Sequence, residues 1–252
     1  MTQIPIDPAQ YMMLPSSSGP YPGPLLFLLS HLAKGIINRC VNEVSRDSAQ
    51  ADPVGILTVT LFASPTYYYN GQPMIDVLWA KYHKVCPLLF GIWGPHNTAA
   101  GKARLGWRFE KDMDDNGNVT GGYWVNLQEH HDRMVGLAAT FAAITLRDFS
   151  KARNANPAPN KLFWTALARI LSAPPAEHTS SHFVVLKNML DNYAERFIKL
   201  FGSAALAAIR QACVVFPQGT GAGEAGRVDS SVLGVTTLPE MLQVQIGLQL
   251  AS

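Results

Sequence analysis

Apolar residues recur at helical spacing along most of this chain. A helix over residues 25–46 is predicted by Leu25, Leu28, Leu29, Leu32, Ile36, Cys40 and Val44. Similar patterns predict helices over 73–86, 126–149, 161–171, 180–201, 204–215 and 238–250. Residues 53–63 are apolar with β-branched side chains that also allow a strand, but the helical neighbours favour a buried helix. The pattern therefore predicts an all-α protein.

Two segments lack this periodicity. Residues 1–24 are rich in proline and contain a Ser-Ser-Ser-Gly run, which predicts an irregular leader. Residues 87–125 contain Gly, Pro and Asn throughout and predict an irregular insertion. Within it, Trp107–Phe109 and Tyr123–Val125 flank a polar, Gly-rich connection that is typical of a hairpin. The helices and their short breaks predict one domain over 25–252, built as an antiparallel, HEAT-like stack.

Composition excludes several classes of protein. With 48% hydrophobic and 15% charged residues, the 252-residue chain is globular rather than disordered. Its net charge of +2 is too small for nucleic-acid binding through bulk electrostatics, so we expect no direct sequence-specific nucleic-acid contact. Three widely spaced cysteines without a CxxC pair predict reduced thiols in an intracellular protein. The apolar segments are too short to span a bilayer, so no membrane insertion is expected.

Two segments match cofactor motifs only in part. Asp112, Asp114 and Asn116 occupy the first, third and fifth positions of a calcium loop, but Tyr123 stands where calcium needs a bidentate carboxylate. A solvated Asn-Gly turn is the favoured interpretation of that loop. Gly221–Gly226 spells GxGxxG, yet the run before it is helical and the chain after it is too short for a dinucleotide-binding unit. Neither segment predicts a cofactor site.

No group of residues predicts an active site. Glu129, His130 and His131 open the long helix, but adjacent histidines point about 100° apart, and the HExxH spacing is absent. His178 and His182 are spaced to chelate, although no third ligand is evident. Surface or helix-cap positions are therefore the favoured interpretation of these histidines. Because the chain also lacks a GxSxG motif and a Walker loop, we expect that it is not an enzyme.

Basic residues concentrate in the middle of the chain. Segment Asp76–Pro87 predicts a helix with basic side chains on its outer face, and further basic residues follow in the insertion and on the long helix. The set consists of Lys81, His83, Lys84, Lys102, Arg104, Arg108, Lys111 and Arg133. If the insertion folds back, these residues converge on a pocket for a multiply phosphorylated anion. A solvated basic face without a ligand is the alternative.

Several sequence segments occur in an order found in a known family. They are Leu78–Pro87 (LWAKYHKVCP), Leu105–Trp107 (LGW), Arg133–Ile144 (RMVGLAATFAAI), Phe163–Leu171 (FWTALARIL) and Phe197–Pro217, which ends in VVFP. In these segments, from about Leu25 to Pro217, the chain resembles the C-terminal domain of the Gle-one family of nuclear-pore mRNA export factors. It looks like a fungal member that lacks the N-terminal coiled coil.

The resemblance implies a MIF4G/HEAT-like solenoid that binds and stimulates a DEAD-box RNA-dependent ATPase. The expected location is the cytoplasmic face of the nuclear pore complex, and also the cytoplasm. In fungal members inositol hexakisphosphate bridges the two proteins, and the candidate ligands of this anion are Lys81, His83, Lys84, Lys102, Arg104 and Arg133. The resemblance also implies binding of an FG nucleoporin C-terminal segment, and roles with translation initiation and termination factors. A generic MIF4G-like translation-factor scaffold without ATPase activation is the alternative.

Two positions depart from the family pattern. Val85 follows the His-Lys pair where the family often has a second basic residue, and Asp132 precedes Arg133 where the family often has Lys. Both differences lower the expected affinity for the anion. The family's upstream coiled coil and the first, basic helices of its domain are expected to be missing from this chain, which would leave the anion site incomplete.

Overall fold

Helices make up most of the structure. The computed structural model describes residues 5–6, 21–114, 118–218 and 230–248. Its α-helices are α1 (Gly23–Arg39), α2 (Ala51–Phe62), α3 (Asp76–Val85), α4 (Ala99–Arg104), α5 (Leu127–Thr145), α6 (Lys161–Leu171), α7 (Ser180–Leu190), α8 (Ala194–Phe201), α9 (Ser203–Arg210), α10 (Phe216–Gln218), α11 (Ser230–Thr236) and α12 (Leu238–Ile246). Two short π-helical segments, Cys40–Val44 and Gln211–Val215, continue α1 and α9. The predicted all-α class is confirmed.

Short antiparallel strand pairs accompany the described helices. They are β1 (Pro5–Ile6) with β2 (Tyr21–Pro22), β3 (Tyr68–Tyr69) with β4 (Gln72–Pro73), and β5 (Phe109–Met113) with β6 (Val119–Trp124). The first pair lies within the predicted leader, whose residues 1–4 and 7–20 are outside the described part of the chain. The last pair is the hairpin predicted inside the insertion, and its Asn-Gly turn also lies outside the described residues.

Helix α5 is the centre of the fold. From Met134 to its end it is buried, apart from the half-buried Val135. It contacts α2, α6, α7 and the π-helical segment that follows α1. A glycine permits one of the closest approaches, because a Cβ at Gly55 of α2 would lie 2.8 Å from the Ala143 Cβ. The other helices therefore pack around one apolar helix.

Aromatic side chains fix α3 against α5. The Tyr82 ring is fully buried and lies 6.0 Å from the Phe141 ring, while Trp79 meets Phe141 edge-on at 5.6 Å. The Tyr82 hydroxyl donates to the Leu137 carbonyl oxygen at 3.3 Å, which gives this buried polar group a partner. The end of α3, with its predicted basic residues, is therefore held in a defined position on the central helix.

The helix predicted over 126–149 is shorter than expected. It ends at Thr145, because Leu146 leaves the helical conformation with φ −98° and ψ 33°. The Asn160 side chain donates Nδ2 hydrogen bonds to the carbonyl oxygens of Thr145 at 2.6 Å and of Arg147 at 3.1 Å. Carbonyls at a helix C-terminus lack partners within the helix, and here a side chain from the next element supplies them. The predicted end of this helix is therefore wrong.

The single helix predicted over 180–201 is two helices, α7 and α8. The Tyr193 hydroxyl, between them, donates to Asp52 Oδ1 at 3.3 Å. Arg196 of α8 donates to both oxygens of the same carboxylate, at 2.8 and 2.5 Å, and Arg147 donates at 3.2 Å. These bonds attach the start of α8 to α2. The chain between α7 and α8 therefore follows turns rather than a continuous helix.

Smaller differences occur in the second half of the chain. Thr179, just before the predicted range, is the N-cap of α7. Gly202 ends α8 after Phe201, the predicted last residue, and also caps α9. Helix α11 was not predicted. The GxGxxG segment lies outside the described residues.

Candidate anion-binding site

The last two turns of α3 carry three of the predicted anion ligands. Lys81 is half-buried, whereas His83 and Lys84 are exposed, since Tyr82 takes the face that is turned to the core. The His83 ring lies 5.1 Å from the ring of Phe90, in the 3₁₀ turn that follows α3. Basic groups in the last turn also complement the partial negative charge of the helix C-terminus.

The insertion folds back onto the end of α3. Gly106 has φ +80°, and a Cβ there would lie 2.6 Å from the Val85 carbonyl oxygen and 2.7 Å from the Pro87 Cδ. Glycine permits both this backbone conformation and this approach. Helix α4, which carries Lys102 and Arg104, is therefore connected to a turn that contacts the end of α3.

Trp107 joins Lys102 to the N-terminal turn of α5. The Lys102 ammonium nitrogen lies 4.8 Å from the centroid of the indole, which is a cation–π distance. The His130 imidazole stacks on the same indole, with ring centroids 4.4 Å apart and planes 13° apart. The Lys102 carbonyl oxygen also accepts a hydrogen bond from the Trp107 backbone N–H at 3.0 Å. Both ends of Lys102 are thus tied to Trp107.

His130 is a buried residue, not the surface or cap histidine that was predicted. Its exposed fraction is 0%, and its Nε2 lies 2.9 Å from the Ser181 hydroxyl oxygen of α7. Burial, with smaller contributions from the charges of His131 and Arg133, lowers the pKa of the His130 imidazole to about 3. The ring is therefore neutral near pH 7.

Arg133 lies at the base of the β5–β6 hairpin. Its Nη1 donates to the Gly106 carbonyl oxygen at 3.5 Å, and its Nε is a buried donor without a partner among the described atoms. Burial lowers the pKa of its guanidinium, and the charge of Arg108 lowers it further, whereas Glu110 raises it. Glu110 is already ion-paired with Arg108. In the described chain, Arg133 forms no ion pair with a carboxylate.

The structure brings together part of the predicted set. Lys102 and Arg133 both contact the turn at Gly106 and Trp107, and Arg108 follows that turn directly. We call Lys102, Arg108 and Arg133 the hairpin-base cluster. Glu110 pairs with Arg108 and also acts on the pKa of Arg133, and its single negative charge offsets one of the three positive charges. Such a surface is suited to holding a phosphorylated anion.

The remaining predicted ligands are less closely tied to this cluster. Arg104 is exposed on α4, where a Cβ at Gly94 would lie 3.4 Å from its Cδ. Within the described residues, no hydrogen bond, ion pair or ring contact joins the basic residues of α3 to those of α4 or α5. That Lys81, His83 and Lys84 belong to the same site as the hairpin-base cluster therefore remains a prediction.

Sequence reasoning missed the roles of Trp107 and His130. The LGW segment beside a basic run and the His-His pair at the start of a helix were visible signals. Their stacking, however, joins residues that are separated in sequence by the whole hairpin. No spacing rule for helices or strands predicts that contact.

Other histidines have structural partners. His182 is in a capping box with Thr179, as expected of a helix-cap histidine, and burial lowers its pKa to about 3. His178 Nε2 lies 3.0 Å from the Ala173 carbonyl oxygen, and its ring lies 4.0 Å from the Phe216 ring. In the described ranges, no three His, Cys, Asp or Glu residues form a group that could hold a metal ion. None of the described helices has the length and apolarity needed to cross a membrane.

Comparison with known proteins identifies the family. A family model described as "GLE1-like protein" matches residues 8–213 of this chain. The chain belongs to the GLE1-like protein family. The matched segment includes α1 to α9 and the hairpin-base cluster.

Fungal relatives of this GLE1-like chain are named mRNA export factors. It is 39% identical over 229 residues to mRNA export factor GLE1 of Chaetomium thermophilum, in an alignment that covers 91% of this chain and 40% of the relative. It is 26% identical over 182 residues to mRNA export factor GLE1 of Saccharomyces cerevisiae, which covers 71% of this chain and 31% of the relative. The chain thus spans less than half the length of these relatives.

Two solved structures are similar to this GLE1-like chain. One contains a variant S. cerevisiae Dbp5 C-terminal domain bound to Gle1 and IP6, and a chain in it matches with a TM-score of 0.70 at 24% identity, covering 86% of this chain and 68% of that chain. The other contains a Gle1 variant in the same assembly and matches with a TM-score of 0.69 at 22% identity, covering 90% and 72%. These similarities confirm the predicted helical stack.

Proposed function

We propose that this chain is a domain of an mRNA export factor that binds and stimulates a DEAD-box RNA-dependent ATPase. Inositol hexakisphosphate assists the binding, and the site of action is the cytoplasmic face of the nuclear pore complex. The chain activates the ATPase and is not itself an enzyme. It needs only to bind one conformation of the ATPase more tightly than another. The names of the fungal relatives and the assembly in the similar solved structures support the proposal.

The hairpin-base cluster is the observation that carries this proposal. Arg133 presents a half-buried guanidinium beside a second one, that of Arg108, without an ion pair of its own in the described chain. Two neighbouring guanidiniums repel each other, and an anion bound between them relieves that repulsion. Guanidinium groups also match the geometry of phosphate oxygens in a bidentate manner. Inositol hexakisphosphate, with six phosphates, fits this donor set.

Two residues at the edge of the hairpin-base cluster limit its affinity for an anion. Asp132 is exposed, and its carboxylate accepts a hydrogen bond from Gln128 Nε2 at 2.7 Å, so it adds negative charge on the turn that carries Arg133. Val85 offers no charged side chain, and its carbonyl contacts Gly106. We therefore propose a weaker anion site than one with basic residues at both positions.

An ATPase assay tests the proposal. RNA-stimulated ATP hydrolysis by the DEAD-box partner is measured with and without this chain, and with and without inositol hexakisphosphate. We expect the chain to raise the rate, and the inositol phosphate to lower the chain concentration that gives half of the maximal effect. Lys161→Glu, at an exposed position at the start of α6, is the matched control for charge reversal in the cluster. Absence of stimulation with folded protein would contradict the proposal.

The scaffold alternative predicts a different outcome. A MIF4G-like translation scaffold would bind a DEAD-box protein of translation initiation and leave the hydrolysis rate of the export ATPase unchanged. Measuring binding and hydrolysis for both ATPases in parallel separates the two functions.

We propose a second surface as the binding site of a nucleoporin ligand. A groove of about 330 Å³ lies between α6 and α9, lined mainly by apolar side chains that include Trp164, Leu171 and Ala204. Such a groove can bury an apolar or aromatic side chain of a nucleoporin C-terminal segment. We expect Ala168→Glu, within the groove, to weaken binding of the nucleoporin C-terminal peptide in fluorescence anisotropy, and Ala152→Glu, an exposed change outside it, to have no effect. Equal binding of the peptide by both variants would exclude this groove as the nucleoporin site.

A further inference from the structure

The Trp107 indole contacts both a cation and a neutral ring. The His130 imidazole, stacked at 4.4 Å and nearly parallel, covers one face of the indole. Lys102 Nζ lies over the indole ring, 4.8 Å from its centroid. The contacts thus run from the buried Ser181 through His130 and Trp107 to the half-buried Lys102.

The side chains behind Trp107 are buried and hydrogen-bonded. His130 is fully buried on α5, and its Nε2 lies 2.9 Å from Ser181 Oγ on α7. The residues around Trp107 are fixed as well, since Leu105 is fully buried and Gly106 contacts Val85 and Pro87. Two helices and a tight turn therefore determine where the indole face lies.

A neutral His130 preserves the electrostatics of the stack. Because burial keeps the imidazole uncharged near pH 7, it adds no positive charge on the inner face of the indole. The negative potential of the indole then acts on the Lys102 ammonium without opposition. An ammonium carries three N–H donors, so contact with the ring leaves donors for a phosphate on the solvent side.

We propose that Trp107 is a positioning residue that holds the Lys102 ammonium in place for the anion site. A lysine side chain has four rotatable bonds, and an anion that binds a free lysine must first order it. The Trp107 contact restricts that freedom before the anion arrives. This inference rests on the proposed function, because Trp107 influences the anion only by way of Lys102.

A double-mutant cycle tests the inference. The dissociation constant of inositol hexakisphosphate is measured by calorimetry at fixed salt for the full chain, Trp107→Leu, Lys102→Ala and the double variant. A cation–π contact at an exposed site corresponds to about a two- to fivefold loss for Trp107→Leu. Because Trp107 acts through Lys102, the double variant should bind as weakly as Lys102→Ala alone. Independent, multiplying losses would overturn the inference.

An aromatic substitution provides a second readout. Trp107→Phe keeps an aromatic face with a weaker attraction for a cation, so its affinity should lie between those of the full chain and Trp107→Leu. Trp107→Phe also replaces Trp107→Leu as the test if the leucine variant does not fold. In that case, an affinity of Trp107→Phe equal to that of the unchanged chain overturns the inference. A purely structural role would not produce this graded order at equal unfolding midpoints.

The outcome separates this inference from the proposed function. If Lys102→Ala weakens binding while Trp107→Leu does not, the anion site stands and the positioning role fails. If the unchanged chain does not bind inositol hexakisphosphate at all, both fail.

Discussion

Gly136 of α5 lies so close to the Cys40 carbonyl that a Cβ at Gly136 would be 1.8 Å from that oxygen. Cys40 begins the π-helical segment after α1, and Gly136 lies on the buried face of α5. The two backbones therefore approach each other with no side chain between them. This contact sets the distance between the end of α1 and the central helix α5.

Substitution at Gly136 should destabilise the fold. The added methyl group of Gly136→Ala must displace the Cys40 backbone, and such overpacking costs about 1–3 kcal/mol of unfolding free energy. Gly35→Ala is the matched control, because Gly35 lies within α1 with open space around it. That change should stabilise the protein by up to about 1 kcal/mol. Urea unfolding measures both, and a loss of similar size at the two positions would contradict the packing argument.

The Asp52 carboxylate joins three parts of the fold. It accepts hydrogen bonds from Arg196, Arg147 and Tyr193, and Asp52→Asn would leave two guanidiniums close together without their counter-ion. We expect a loss of about 1–3 kcal/mol in unfolding free energy, between the values of exposed and buried pairs. The control Glu43→Gln breaks an exposed pair with Arg39 and should cost less than about 0.5 kcal/mol. Similar small losses for both variants would show that the Asp52 bonds contribute little.

Stability should fall as the pH is lowered from about 7 to about 4. Burial lowers the pKa values of His130 and His182 to about 3 in the folded protein, against an ordinary value of 6.5. Below that ordinary value the unfolded chain takes up protons that the folded chain does not. Each histidine therefore removes up to about 1.4 kcal/mol of stability per pH unit. The pKa of Asp52 is lowered from 3.8, so its contribution is lost only at lower pH.

A variant of His130 tests the origin of this pH dependence. His130→Phe keeps an aromatic ring against Trp107 but cannot bind a proton. Urea unfolding between about pH 7 and pH 5 should show a smaller slope of stability against pH for this variant, by about one proton. An unchanged slope would mean that His130 is not the group that titrates.

Charge reversal should separate the two parts of the predicted anion set. Lys102→Glu with Arg108→Glu alters the hairpin-base cluster, and Lys81→Glu with Lys84→Glu alters α3. We expect the first pair to weaken inositol hexakisphosphate binding by more than about tenfold, since charge-assisted hydrogen bonds are lost. The second pair should weaken inositol-phosphate-dependent binding of the ATPase without unfolding the domain.

Binding at matched salt and thermal unfolding of each variant check these expectations, with Lys161→Glu as the control. Equal losses from both pairs would show that α3 and the hairpin base form one site. Unchanged affinity in the first pair would contradict the assignment of the cluster.

Helix positions were largely predictable from the sequence, but several helix ends were not. The period of apolar residues over 161–171 predicted α6 with its observed bounds, because that period depends only on neighbours within a few turns. The ends of α5 and α7 depend instead on distant side chains. Asn160 supplies hydrogen bonds at the end of α5, and Asp52 attaches α8 to α2.

The candidate site was likewise predictable from the sequence only in part. The sequence by itself determined the helical class, the hairpin in the insertion and the positions of the basic residues. The tertiary structure decided which of those residues meet, through the backbone approach at Gly106 and the stacking of Trp107 on His130. The physical reason is that helical periodicity is a local property of the chain. The convergence of Lys102 and Arg133 on one turn, in contrast, depends on burial and close packing between segments that are distant in sequence.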